Sequence, residues 1–247
     1  MVFSDSHCHL AGQQPERLAQ MLQQARTKGV VIMVSMGMTL ESSAEDVRLA
    51  QSHQEVQAAV GIHPWNAILP TNEVCQHFEE LVRQEGVVAI GEIGLDYVRS
   101  PETKEIQKEL LAYELSLARE TGLPVSLHCR EAYQDMMDIL NKEMAPGLKG
   151  AIHGFTGDQA ELMDWLALGF NISIGRRGFL IDEIPLLEAV VREIPLAQLL
   201  TETDTGGSSG SPSDVVSVVE KLASLRETTS EEIGNTATAN LKRLLKL

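Results

Sequence analysis

The chain has 247 residues, of which 43% are hydrophobic, and it carries a formal net charge of −15 at pH 7. This length and composition suit one sizeable hydrophobic core and predict a single domain over residues 1–247. The excess of acidic residues excludes long-range electrostatic attraction of nucleic acid, which argues against a dedicated nucleic-acid-binding module. It does not argue against an enzyme that contacts nucleic acid only at short range.

The N-terminal sequence and the cysteines predict a cytoplasmic location. Met1 is followed at once by a strand-like stretch with Asp5, without the basic start and apolar run of a secretory signal. No apolar run of about 18 residues predicts a transmembrane helix, so we expect no membrane partner. The three cysteines show no paired spacing, which suits a reducing compartment. Nothing in the sequence indicates an obligate protein partner.

Strand and helix signals alternate along the whole chain. Strands are predicted at residues 2–10, 29–35, 56–62, 86–93, 124–128, 149–153, 170–174 and 198–203. Helices are predicted at 15–28, 40–52, 72–84, 101–120, 131–141, 158–168, 185–193, 212–225 and 229–245. This alternation indicates a (β/α)₈ TIM barrel with an extra C-terminal helix. The alternative, an open doubly wound sheet, usually has fewer strands and a glycine-rich first turn, which is absent here.

Two histidines end the first predicted strand. His7 and His9 are separated by one residue, so both side chains project to the same side of an extended chain and can hold one metal ion. Two such histidines do not by themselves establish a metal site. Further histidines and carboxylates, however, recur at the ends of later predicted strands: His63, Glu92, His128, His153 and Asp204. In a barrel these strand ends form one face, where active sites lie, so we expect the residues to share one site.

Each of these residues also has an ordinary structural explanation. A single histidine after a strand is more often a hydrogen-bonded turn residue than a ligand. Asp204 alone could cap a helix, and Glu92 alone could pair with an arginine. Their joint placement after successive strands favours the metal site.

Six motifs, taken in chain order, resemble those of the TatD-like metal-dependent deoxyribonucleases of the amidohydrolase superfamily. They are DSHCHL at 5–10, GIHPW at 61–65, GEIGLDY at 91–97, HCR at 128–130, HGFTG at 153–157 and TETD at 201–204. The resemblance implies one metal ion held by His7, His9 and Asp204, a second held by His128 and His153, and Glu92 bridging both.

The resemblance predicts hydrolysis of DNA phosphodiester bonds. Four imidazoles with two carboxylates suit Zn²⁺, Mn²⁺, Fe²⁺ or Ni²⁺ better than Mg²⁺, which stays possible. The metals would lower the pKa of a shared water towards neutrality, with Glu92 as the anionic bridge. Asp204 would accept the proton of that water, and His63, outside the ligand set, would bond a phosphate oxygen or the leaving group.

Two departures from the family pattern bear on the substrate. The loop from Thr205 to Ser211 contains no cationic or aromatic side chain, and Gly154 stands where cysteine or serine is common. We therefore expect few, short-range contacts with DNA and exonuclease-like trimming. One alternative is a small-molecule amidohydrolase or lactonase that uses the same metals. Another is a catalytically silent metal-binding or nucleic-acid-binding protein.

Overall fold

The computed structural model describes residues 1–143, 147–175, 184–206 and 210–247, and of residues 184–187 it describes the backbone alone. Eight strands form one sheet in chain order, β1 to β8, and the strand pairs run parallel. Helices alternate with the strands, and one further helix follows the last of them. The predicted fold class, a (β/α)₈ TIM barrel with an extra C-terminal helix, is confirmed.

The bounds of the elements follow the predicted alternation. The strands are β1 Phe3–Cys8, β2 Val30–Met36, β3 Val56–Val60, β4 Val87–Asp96, β5 Val125–Arg130, β6 Gly150–Ile152, β7 Asn171–Ile174 and β8 Leu199–Thr201. The helices are α1 Pro15–Thr27, α2 Leu40–Ser52, α3 Asn72–Val82, α4 Lys104–Thr121, α5 Tyr133–Glu143, α6 Gln159–Ala167, α7 Ile184–Glu193, α8 Val215–Leu225 and α9 Ser230–Leu245.

Two compact units can be distinguished within the chain, and the first contains both chain ends, Met1–Ser35 and Ala151–Leu247. In this unit α8 and α9 pack on β1 and β8. Ile233, Ala237 and Leu241 recur on one side of α9 and are all buried, because their spacing places them on the face towards the strands. Burial of a large apolar side chain contributes about 1.5–3 kcal/mol, so α9 fastens the two strands that carry part of the candidate site.

The second unit, Met36–Gly150, is built on β3, β4 and β5. Here α2 packs on β3 and α4 packs on β4. Leu110, Leu111 and Leu115 of α4 are buried, as the helical spacing of the leucines predicts. Phe78 of α3 is also fully buried. These helices hold β4 and β5, the strands from which two of the predicted ligands project.

Side-chain caps fix where several helices begin. The Thr39 hydroxyl accepts the N–H of Ser42 at 3.2 Å, and the Ser42 hydroxyl in turn accepts the N–H of Thr39 at 2.9 Å. The Thr229 hydroxyl accepts the N–H of Glu232 at the start of α9. Each cap satisfies an N–H group that has no partner inside the helix, which contributes about 1 kcal/mol.

Three predicted boundaries differ from the structure in ways that affect the site. Strand β4 continues past Ile93 to Asp96, because Gly94 and Asp96 pair with His128 and Arg130 of β5. Glu92 and His128 therefore lie inside strands and not at their last residues. Strand β8 ends at residue 201, so Asp204 belongs to the segment after it. The predicted helix start at residue 101 is a single 3₁₀ turn that precedes α4.

No helix within the described ranges is both long enough and apolar enough to cross a membrane.

Candidate functional site

The first group of candidate ligands lies in the unit that contains the chain ends. The Nε2 atom of His9 lies 3.5 Å from Oδ1 of Asp204, and the Nε2 atom of His7 lies 3.9 Å from the same oxygen. One donor atom from each residue lies within 4.8 Å of the other two. His7 is buried, whereas His9 and Asp204 are partly accessible. Three donors this close can hold one divalent ion.

Backbone contacts between β1 and the segment after β8 bring Asp204 to the two histidines. The N–H of Asp204 donates to the carbonyl oxygen of His7 at 2.9 Å, and the N–H of His9 donates to that of Thr205 at 2.7 Å. Cys8 and Thr205 form an isolated parallel bridge. Asp204 has a φ of 52°, in the left-handed region that Asp tolerates better than most residues. The main chain thus builds this group.

The buried carboxyl group of Asp5 fastens the same two segments from inside. It accepts hydrogen bonds from the N–H of His7 at 3.2 Å and from the N–H and hydroxyl of Thr203 at 2.9 and 2.6 Å. Complete burial raises the pKa of Asp5 to about 8, although the hydrogen bonds from Thr203 act in the opposite direction. Asp5 therefore acts as an internal anchor and is not exposed to a ligand.

His153 belongs with the first group. It directly follows β6, and its ring stacks on that of His7, with centroids 3.8 Å apart and planes at 15°. Its Nδ1 atom lies 3.4 Å from Oε1 of Glu202. The same oxygen accepts the N–H of Gly154 at 2.7 Å. One side of the His153 ring is therefore held by another histidine, and one ring nitrogen faces a carboxylate.

The second group lies in the unit Met36–Gly150 and consists of three buried residues. The Oε1 atom of Glu92 lies 2.9 Å from Nδ1 of His128 and 3.2 Å from Nε2 of His63. One donor atom of each residue lies within 4.8 Å of the other two. The Nδ1 atom of His63 accepts the N–H of Trp65 at 3.1 Å, so Nε2 carries the proton of the neutral ring and faces Glu92.

Asp96 holds His128 from the other side. Its Oδ2 atom lies 3.1 Å from Nε2 of His128 and accepts the indole N–H of Trp65 at 2.6 Å. Its Oδ1 atom accepts the N–H groups of Val98 and Arg99, both at 2.9 Å. Burial alone would raise the pKa of Asp96, but the hydrogen bonds from His128, Arg99 and Trp65 outweigh it and hold the pKa below its usual range. Asp96 therefore stays ionised and fixes both rings.

The donor atoms in both groups fit divalent metal ions. Imidazole nitrogens and carboxylate oxygens are the ligands that Zn²⁺ and its first-row neighbours take from proteins. Among His7, His9 and Asp204, and likewise among His63, Glu92 and His128, these atoms converge to within 4.8 Å, a spacing that one ion can satisfy. The carboxylate of Asp96 beside His128 matches the arrangement in which a metal-ligating histidine donates its second N–H to an acceptor. A carboxylate oxygen of Glu202 also lies 3.4 Å from a ring nitrogen of His153.

The structure places every sequence-predicted site residue in one of the two groups. The first holds His7, His9, His153 and Asp204, and the second holds His63, Glu92 and His128. The sequence predicts that His63 acts outside the ligand set. Because His63 contacts the same oxygen of Glu92 as His128 does, its position also suits a ligand. The assignment of roles stays a prediction.

Sequence reasoning gave no role to two buried acids, Asp5 and Glu202. Both are fully buried, and both lie in stretches that read as strand ends. A buried acidic residue inside a strand-like apolar run needs hydrogen-bond donors. The position of these two acids in such runs was therefore the sequence signal for buried, hydrogen-bonded carboxyl groups. Asp96 could be either a partner of a ligand or part of a turn on sequence grounds, and the structure shows its contact with His128.

A TIM-barrel fold whose strands end in grouped histidines and carboxylates defines a metal-dependent hydrolase. The family model for TatD related DNases matches residues 4–246. The chain belongs to this family, as its motifs predict.

Relatives and solved structures agree with this assignment. The chain is 34% identical to the metal-dependent hydrolase YabD of Bacillus subtilis, with 98% of each chain covered. It is 36% identical to the 3'-5' ssDNA/RNA exonuclease TatD of Edwardsiella piscicida, over 78% of this chain and 75% of that protein. The crystal structure of YJJV, a TatD homolog from Escherichia coli K12, superposes with a TM-score of 0.89 at 29% identity, covering 99% of this chain and 98% of that one.

Proposed function

We propose that this hydrolase cleaves phosphodiester bonds in DNA from chain ends, with two divalent metal ions per chain. The observation that carries the proposal is the grouping of buried and half-buried histidines with Asp204 and with Glu92. The family name and the relative named as a 3'-5' ssDNA/RNA exonuclease support a nucleic-acid substrate.

The proposed ligands are those that the family resemblance implies. His7, His9 and Asp204 would hold one ion, His128 and His153 would hold a second, and Glu92 would serve both. The nitrogen-rich donor set favours Zn²⁺, Mn²⁺, Fe²⁺ or Ni²⁺ over Mg²⁺. When bound, such ions make water a better nucleophile near pH 7 and offset the negative charge of a phosphodiester.

Two side chains would move or hold protons in the reaction. Asp204 is partly accessible, so its carboxylate can accept the proton that the attacking water loses. The Nε2–H of His63 would donate a hydrogen bond to a phosphate oxygen or to the leaving oxygen. The backbone N–H of Trp65 donates to Nδ1 of His63, which keeps the ring proton on Nε2.

Substrate contacts near these residues should be few. The Arg99 guanidinium carbon lies 4.2 Å from the centroid of the Trp65 ring, so a cation covers one face of the indole. A base stacked on the other face would gain about 1–3 kcal/mol. At the described positions of the loop after Asp204, which are 205, 206, 210 and 211, there is no cationic or aromatic side chain, and residues 207–209 lie outside the described residues.

One cation does reach that loop from another element. Arg17 of α1 donates a hydrogen bond to the carbonyl oxygen of Gly210 at 3.3 Å. The guanidinium of Arg17 is therefore hydrogen-bonded to the backbone of the loop. With so few cations, binding of single-stranded DNA should depend only shallowly on salt, at about 0.7 logarithmic units per phosphate contacted.

The test compares a linear oligonucleotide, labelled in turn at each end, with a closed circular single strand of similar length. The protein is first loaded with Zn²⁺ or Mn²⁺ and its metal content is measured. We expect trimming of the linear strand and no cutting of the circle, with the Asp204→Asn protein as the inactive control. Rapid cutting of the circle would contradict end-dependence.

A panel of esters and lactones accompanies this assay. If the metal-loaded protein cuts neither strand and hydrolyses a member of the panel, the substrate is a small molecule and the proposed nuclease activity is wrong. If the wild-type protein binds no metal under these conditions, the metal-dependent site itself is contradicted.

A further inference from the structure

Glu202 is a buried carboxylate beside the first group of ligands that no role above employs. It directly follows β8, two residues before Asp204, and its side chain is fully buried. Its backbone N–H donates to the carbonyl oxygen of Ile174 at 3.1 Å, which continues the pairing of β8 with β7. The backbone thus fixes where this carboxylate points.

Two glycines contact the Glu202 side chain, one by leaving space for it and one by a hydrogen bond. A Cβ atom on Gly175 would lie 2.8 Å from Cγ of Glu202, a distance that no side chain can adopt without displacing it. Gly154 has a φ of 54°, and its N–H donates to Oε1 of Glu202 at 2.7 Å. The glycine that departs from the usual family residue therefore provides both a left-handed turn and a hydrogen bond to this carboxylate.

The contacts of Glu202 are concentrated on one oxygen. Oε1 accepts the Gly154 N–H and lies 3.4 Å from Nδ1 of His153. Among the described residues no group donates to Oε2. A buried carboxylate oxygen without a hydrogen-bond donor is costly in a protein interior, because it loses its solvation and gains no replacement. A role that needs an anionic acceptor beside His153 accounts for its presence.

We propose that Glu202 is the positioning residue for His153. Its Oε1 atom, 3.4 Å from Nδ1, is placed to take the Nδ1–H of the ring when an ion is bound at Nε2, which would fix the tautomer. Stacking on His7, with centroids 3.8 Å apart, holds the plane of the same ring. This inference rests on the proposed function, since it assigns His153 to a metal ion. Loss of such an acceptor typically weakens metal binding by about 10–100-fold.

The experiment is a double-mutant cycle in which the measured quantity is the affinity for a metal ion. Zn²⁺ binding is titrated against a competing chelator for wild type, Glu202→Ala, His153→Ala and the double variant. We expect Glu202→Ala to weaken one binding step by about 10–100-fold. In the His153→Ala background the Glu202 substitution should change the affinity no further, because it acts through the imidazole.

Glu114→Gln serves as the matched control. Glu114 is likewise a fully buried glutamate that accepts one backbone N–H, that of Ile62 at 3.0 Å. Its substitution should leave the affinity of the His153 step unchanged. If Glu202→Ala does not fold, Glu202→Gln replaces it: the amide keeps an acceptor for Gly154 but loses the charge, so a loss of about 10-fold is expected.

Failure of this inference and failure of the proposed function give different results. Two outcomes would overturn the inference, and a third would overturn the function. Equal losses on removing Glu202 in the presence and absence of the His153 ring would overturn the positioning role. So would unchanged Zn²⁺ affinity in Glu202→Ala. A wild-type protein that binds no Zn²⁺ at all would instead overturn the proposed metal-dependent function, on which the inference rests.

Discussion

The hydroxyl of Thr203 donates a 2.6 Å hydrogen bond to the carboxyl group of Asp5, a residue 198 positions earlier in the chain. The same hydroxyl accepts the N–H of Thr205 at 3.2 Å. One buried side chain thus joins the strand that carries His7 to the segment that carries Asp204. This contact adds to the backbone hydrogen bonds that align these two proposed ligands.

Thr203→Val should therefore lower the free energy of unfolding by about 1–3 kcal/mol, because a buried carboxyl oxygen and a buried N–H both lose their partner. Urea denaturation measures the change. Thr203→Ser keeps the hydroxyl and should recover most of the loss. A valine variant as stable as wild type would show that the hydrogen bonds of this hydroxyl contribute no stability.

Asp204→Asn should reduce turnover at least about 100-fold while the fold is kept. The amide retains the size of the side chain but cannot accept a proton and contributes no negative charge to a metal. Steady-state rates on an end-labelled oligonucleotide give the effect, and thermal denaturation checks the fold. Asp158→Asn is the control, because Asp158 caps α6 through the N–H of Glu161 and asparagine caps equally well.

His63→Ala should lower activity and leave the metal content unchanged, since His63 is proposed to act outside the ligand set. Elemental analysis of the purified, metal-loaded variant decides the point. His77→Ala in α3 provides a histidine substitution outside both groups. A missing ion in His63→Ala would move this residue into the ligand set, which its contact with Glu92 also permits.

Asp96→Asn should weaken metal binding by about 10–100-fold, because the ring of His128 loses its anionic partner on Nε2. The indole N–H of Trp65 bonds the same oxygen, so the fluorescence of Trp65 should shift in parallel. Asp135→Asn removes a carboxylate that bonds the hydroxyl of Tyr97 instead and should change neither signal. Full metal affinity in Asp96→Asn would show that His128 needs no such partner.

Glu114→Gln should make stability less dependent on pH. Complete burial raises the pKa of Glu114 well above 4.5, so the folded protein binds this proton more tightly than the unfolded chain. The resulting stabilisation is fully present below pH 4.5 and is lost as the pH rises towards the raised pKa. The free energy of unfolding of the variant should therefore rise relative to that of wild type as the pH increases, by up to about 1.4 kcal/mol per pH unit.

Urea unfolding of both proteins between pH 4.5 and 8 measures this difference. The glutamine oxygen can still accept the N–H of Ile62, so the hydrogen bond is preserved. A stability difference that stays constant over the range would contradict the raised pKa of Glu114.

Hydrophobic periodicity was sufficient to predict the order of elements and the fold class. The buried face of α9 shows why: Ile233, Ala237 and Leu241 recur at helical spacing, and apolar spacing is a local property of the sequence. Candidate site residues could be proposed because ligand chemistry limits them to histidines and carboxylates, and a barrel places them after successive strands. Their roles stay a prediction.

The partners of those residues could not be predicted, because they depend on contacts between distant segments. Nothing in the local sequence of Glu202 specifies that Gly175 will leave space for its side chain or that the N–H of Gly154 will bond it. Likewise, β4 continues to Asp96 only because β5 offers pairing partners there. Burial and hydrogen bonding of this kind are set by tertiary structure and override local propensity.

The link between Asp5 and Thr203 also has a consequence for biosynthesis. A ribosome makes the chain from its N-terminus, so His7 and His9 emerge early, whereas Asp204 follows almost 200 residues later. The group formed by these three residues cannot assemble on an incomplete chain, and a truncated product lacks it entirely. The last proposed ligand of this group therefore becomes available only when most of the barrel has already been synthesised.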